Sequence, residues 1–65
     1  MVLTVNGERQ QVEATNVAAL LEALGYEGGF FAVAVNQDVV RRAKWAETQL
    51  ADGDSVEILT PRQGG

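Results

Sequence analysis

The sequence predicts a two-layer α+β fold: a mixed sheet of four to five strands packed on one helix, with a flexible C-terminal tail. Three observations carry this. A single stretch has apolar residues at helical spacing. Short extended stretches lie on both sides of it, separated by turn residues. The last six positions show no apolar periodicity at all.

Residues 2–5, Val-Leu-Thr-Val, open the chain as a β-rich stretch, and Asn6-Gly7 follows. Asn-Gly between extended segments is the strongest short hairpin signal, because both central residues of a type I′ turn need positive φ. The predicted return strand spans 8–13, is polar, and has Val12 as its clearest apolar member. Val17, Leu20, Leu21 and Leu24 then fall at i, i+3, i+4 and i+7, one face of a helix over 17–24. Thr15 or Asn16 supplies the N-cap oxygen, and Gly25 stands where a left-handed residue ends a helix.

After a loop at 26–29, residues 30–35 alternate aromatic and β-branched residues with alanine and read as a central strand. Asn36-Gln37-Asp38 turns the chain into a short return strand at 39–40, which Arg41, Arg42 and Lys44 interrupt. Residues 45–50 are ambiguous and fit a single helical turn, with Trp45 a packing residue over a small core. A tight turn at 51–54 precedes a final alternating strand at 55–59. Two strands, one helix and three more strands is the order of a β-grasp, in which the last strand inserts beside the first. The β-grasp domain is thus expected over 1–59 and the tail over 60–65.

With 65 residues the chain is one small domain, and such a chain buries only about 60% of its unfolded surface. It has no cysteine, so no disulfide contributes, and its stability rests on a 46% apolar composition. The charged fraction of 22% is ordinary for a globular domain. Nine acids against five bases give a net charge of −4, opposite in sign to a nucleic-acid binder, and the bases are spread along the chain. No apolar run is long enough to span a membrane, and polar Thr4, Asn6 and Glu8 argue against a signal peptide. A cytoplasmic domain with no nucleic-acid or membrane partner is expected. Without histidine or cysteine the commonest general base and the best nucleophile are missing, so independent catalysis and a metal site are not expected. The acids Glu8, Asp38, Asp52 and Asp54 read as turn chemistry, and Arg41, Arg42 and Lys44 as a solvated edge that discourages strand pairing.

In the tail, Pro61 has no N–H with which to continue a ladder, and Gly64 and Gly65 have no side chains. Six extended residues reach roughly 20 Å. Such a thread carries a terminal carboxylate into a channel too narrow for ordinary side chains; a trimmed linker would leave the same residues. Arg62 reads either as a contact to phosphates or acids of a partner or as a solvated residue. Of Ile58 and Leu59, one points away from the core, because strand neighbours face opposite sides, and the exposed one is a candidate docking residue.

Asn6-Gly7-Glu8, the 17–21 helix stretch, Val33-Ala34-Val35-Asn36, Arg42, Leu50, Gly53-Asp54, Val56-Glu57-Ile58 and Gly64-Gly65 together resemble the ThiS family, ubiquitin-like sulfur carriers of thiamine biosynthesis. The likeness covers the whole chain; Asn36-Gln37-Asp38 departs from the Asn-Gly-Glu often seen at that turn, which questions the turn type. The resemblance implies a carrier that is a co-substrate and not an enzyme, and that binds no cofactor itself. An adenylating enzyme of the ubiquitin-activating type would use ATP and magnesium to activate Gly65, with Gly64, Gln63 and Arg62 in its channel. A cysteine desulfurase would supply sulfur, and thiazole synthase would accept it from the Gly65 thiocarboxylate. Three alternatives stay open: the small subunit of molybdopterin synthase, a ubiquitin-like protein modifier, and an interaction domain whose Gly-Gly is incidental.

Overall fold

In a computed structural model of the chain, residues 1–26 and 31–60 are described. Strand β1, Val2–Val5, alternates strictly: Leu3 and Val5 are buried while Val2 and Thr4 lie on the other face. Asn6 and Gly7, with φ of 50° and 84°, make the expected two-residue turn into β2, Glu8–Gln11. The pairing runs antiparallel from Val5 opposite Glu8 to Val2 opposite Gln11. β2 is two residues shorter at its end than the predicted 8–13. Val12 leaves the strand to enter the core, yet exchanges two 2.8 Å hydrogen bonds with Met1.

Helix α1, Val17–Ala23, buries Val17, Leu20 and Leu21. Its N-cap is Asn16, whose Oδ1 accepts the Ala19 N–H at 2.8 Å and satisfies one of the helix's otherwise unpaired donors. At the other end Leu24 is the C-cap and Gly25 follows with φ of 87°. Gly25 N–H donates to the Glu22 carbonyl and Tyr26 N–H to the Leu21 carbonyl, the two bonds of a Schellman motif.

Strand β3, Ala32–Val35, starts later than the predicted 30–35: Phe31 lies in a bend, and Phe30 is outside the described residues, as are Glu27, Gly28 and Gly29. Asn36 and Gln37, with φ of 51° and 74°, repeat the type I′ geometry of the first hairpin. The departure from Asn-Gly-Glu therefore leaves the turn type unchanged. Asp38 belongs to strand β4, Asp38–Val40, and not to the turn. In place of the single helical turn expected within 45–50, a two-turn 3₁₀ helix runs over Arg42–Glu47, beginning earlier. Residues 48–50 instead run alongside the start of α1, with Val17 N–H donating to the Thr48 carbonyl and Leu50 N–H to the Thr15 carbonyl. Trp45 packs as expected: it is buried, stacks on Phe31 at a 5.2 Å ring separation, and donates its Nε1–H to the Val40 carbonyl.

Strand β5, Ser55–Leu59, completes a five-stranded sheet in the order β2-β1-β5-β3-β4. It pairs in parallel with β1 and antiparallel with β3, so the last strand does insert beside the first and is itself the middle of the sheet. The turn before it is tied by side chains: Asp54 Oδ2 accepts the Ala51 N–H and Asp52 Oδ1 the Val2 N–H. Leu3, Val5, Val33, Val56 and Ile58 from the sheet form one buried cluster with Val17, Leu20 and Leu21 of the helix. Among the described residues no polar or charged side chain is buried, so apolar packing holds the two layers together. No helix among them is long and apolar enough to cross a membrane.

Candidate functional site

Residues 60–65 follow β5 in the chain, so the end of that strand is where the candidate site begins. Along the strand, Val56 and Ile58 are buried while Ser55, Glu57 and Leu59 are exposed. The alternation thus resolves the pair left open by the sequence. Ile58 is 4% exposed and belongs to the core, which removes it from the candidate docking patch; Leu59, at 67%, points outward. Thr60 follows, and with Asn6, Gly7, Glu57, Ile58 and Leu59 it lines an open groove between the first turn and the strand end. Asn6 Oδ1 accepts the Ile58 N–H at 2.8 Å across that groove.

Leu59 is not alone on the outer face. It stands opposite Ala32 of β3, and Ala34, the next outward residue of β3, stands opposite Val39 of β4. Val39 is 78% exposed, Ala32 is exposed and Ala34 half-buried, so a strip of apolar side chains crosses β4, β3 and β5 on the face away from the helix. Val39 escaped the sequence reading, although the hairpin holds the signal. A two-residue turn sets Val40 opposite inward-facing Val33, which leaves Val39 facing out.

Arg41, Arg42 and Lys44 are exposed beside the edge strand β4, as expected of a solvated edge, and Lys44 forms a 3.5 Å ion pair with Glu47. Among the described residues no cluster of three or more potential metal ligands occurs. Pro61 and the proposed channel and modification residues Arg62, Gln63, Gly64 and Gly65 lie outside the described residues. What the described part provides is a strand held on both sides, an exposed apolar residue at its end, and a groove lined by that residue and Thr60.

Comparison with known proteins agrees with this architecture. The ThiS family model matches residues 3–65. The sulfur carrier protein ThiS of Thermus thermophilus is 33% identical over 61 residues, which cover 94% of this chain and 95% of that protein. A thiazole synthase of Paramagnetospirillum magneticum is 36% identical over 66 residues; the match takes in all of this chain but only 20% of that protein's length. Among solved structures, the crystal structure of the thiamine biosynthesis protein ThiS from Geobacter metallireducens superposes with a TM-score of 0.84 at 38% identity, covering both chains in full. A solution structure of a thiamine biosynthesis protein from the same organism gives 0.82 at 38% identity, covering all of this chain and 88% of the other. The chain belongs to the ThiS family of small sulfur carrier proteins.

Proposed function

We propose that this sulfur carrier of thiamine biosynthesis works through the carboxylate of Gly65, presented on residues 60–65 to partner enzymes in the cytoplasm. The observation that carries the reading is the placement of β5. The strand that leads into the tail is the middle of the sheet, paired with both β1 and β3, so the tail starts from a strand held on both sides and not from a sheet edge.

A carboxylate resists nucleophiles because it is anionic and its oxygen leaves poorly. An adenylating enzyme would join the Gly65 carboxylate to AMP from magnesium-bound ATP and release pyrophosphate. The outer sulfur of a persulfide, supplied through a cysteine desulfurase, then displaces AMP. A second donor thiol cleaves the resulting S–S bond, becoming a disulfide and leaving the thiocarboxylate. No step calls on a side chain of the carrier, and the chain has neither histidine nor cysteine to offer. Gly64, Gln63 and Arg62 would occupy the partner's channel, and Leu59 would meet the partner's surface at its mouth.

Thiazole synthase is the sulfur acceptor in this reading. Support comes from the P. magneticum thiazole synthase, which contains a segment similar to this whole chain within one longer polypeptide. The test is an intact mass after incubation with the adenylating enzyme, ATP, magnesium and a persulfide donor. Exchange of one oxygen for sulfur, confined to Gly65, is expected. A chain extended by one residue beyond Gly65 should keep its circular dichroism and lose the modification. Thiocarboxylation of that extended chain at its new end would refute the role of Gly65.

A further inference from the structure

The asparagines of the two type I′ turns make the same contact with the same strand. In the parallel β1–β5 ladder, Thr4 N–H donates to the Asp54 carbonyl and Asn6 N–H to the Val56 carbonyl, both at 2.9 Å. The next rung would bring the Ile58 N–H to the backbone carbonyl of residue 6. Asn6 has φ of 50°, so the chain turns away there, and its side-chain Oδ1 takes the Ile58 N–H instead, at 2.8 Å. At the other end of β5, Asn36 N–H donates to the Ser55 carbonyl at 2.7 Å. The returning Ser55 N–H goes to Asn36 Oδ1 at 3.0 Å, again in place of a backbone carbonyl that the turn has swung aside. Each carboxamide thus extends the sheet by one rung beyond the last paired residue.

The two rungs sit differently relative to Thr60. The Asn36 contact closes the start of β5, where Asp54 Oδ1 also accepts from Asn36 Nδ2. The Asn6 contact closes its end, at the residue before Leu59, and the Ile58 N–H is part-buried. A strand that ends without this rung frays from its last residues, and a partner enzyme must then reorder them on binding.

We propose that Asn6 is a positioning residue for the transfer at Gly65: its carboxamide holds the last stretch of β5, so that Leu59 and Thr60 keep a fixed place beside the Asn6-Gly7 turn. The proposal rests on the carrier reading above. Asn6→Gly separates the turn from the contact, since glycine accepts positive φ freely but has no acceptor to offer. Asn6→Asp retains an acceptor and the tolerance for left-handed backbone. Asn36→Gly is the control, because it removes the equivalent rung at the far end of the same strand.

The experiment measures the initial rate of thiocarboxylate formation against carrier concentration, with the adenylating enzyme, ATP-magnesium and persulfide donor held fixed. Amide hydrogen exchange at Ile58 is followed in parallel. For Asn6→Gly the half-saturating carrier concentration should rise about fivefold at unchanged maximal rate, the equivalent of about 1 kcal/mol for one lost hydrogen bond at 1.4 kcal/mol per tenfold. Ile58 should lose exchange protection. Asn6→Asp should restore both readouts, and Asn36→Gly should lower the melting temperature while leaving half-saturation where it was. Equal shifts in Asn6→Gly and Asn36→Gly, or an Asn6→Gly curve coincident with the parent, would overturn the positioning role alone. No thiocarboxylate on the unsubstituted chain would overturn the carrier reading and this proposal with it.

Discussion

Replacing Gln37 by glycine should stabilise the domain, a direction that the two hairpins of this chain test against each other. Both turns have positive φ at their two central positions; the first uses Asn6-Gly7 and the second Asn36-Gln37. At φ of 74° the Gln37 Cβ crowds the backbone, a strain of about 1–2 kcal/mol for an L-residue in left-handed conformation. Gln37 is exposed, so the substitution sacrifices no buried surface. Glycine relieves the strain but widens the unfolded ensemble, which offsets about 0.4–1 kcal/mol. Taking the middle of each range, the net gain is about 0.8 kcal/mol. In urea, with a slope of about 1 kcal/mol/M for a small domain, the midpoint should rise by about 0.8 M at constant slope. The reciprocal change, Gly7→Ala, should lower it by a similar amount. A Cβ at Gly7 would meet nothing within 4 Å, so its cost is conformational and not steric. An unchanged or lowered midpoint for Gln37→Gly would refute the strain argument and show that the glutamine side chain supports the turn.

Other substitutions separate folding from function. Leu20→Ala removes a fully buried side chain from the helix–sheet contact and should cost about 3 kcal/mol, enough to leave a domain of this size partly unfolded by circular dichroism at 25 °C. Asn16→Ala deletes the N-cap bond to Ala19 and should cost about 1 kcal/mol, read as a fall of about 4–8 °C in melting temperature. Leu59→Ser, at an exposed position, should change stability by less than about 0.5 kcal/mol while weakening capture of thiazole synthase about tenfold in calorimetry. Undiminished binding would exclude Leu59 from the interface.

Local elements were legible because their signals are local. The i, i+3, i+4, i+7 spacing from Val17 marked the helix, Asn6-Gly7 marked a hairpin, and alternation at 55–59 marked a strand, all without reference to the rest of the chain. The tail as candidate site was legible for the same reason, since Pro61 and Gly64-Gly65 carry their properties in their covalent structure. The 3₁₀ helix at Arg42–Glu47 was misplaced because its position depends on where Trp45 finds Phe31 and the Val40 carbonyl, partners distant in sequence or on another element.

By itself, then, the sequence determined the element order, the apolar faces of helix and strands, the two hairpin turns, and the lack of histidine and cysteine. Tertiary structure decided which of Ile58 and Leu59 faces outward, because alternation sets a phase only once one residue is anchored against the helix. It also decided that Val39 joins Leu59 on one face, since strand register brings together residues twenty positions apart. And it gave Asn6 a second task. As a turn residue it was readable from its neighbour Gly7, but its grip on Ile58 exists only because β5 inserts beside β1, more than fifty residues along the chain.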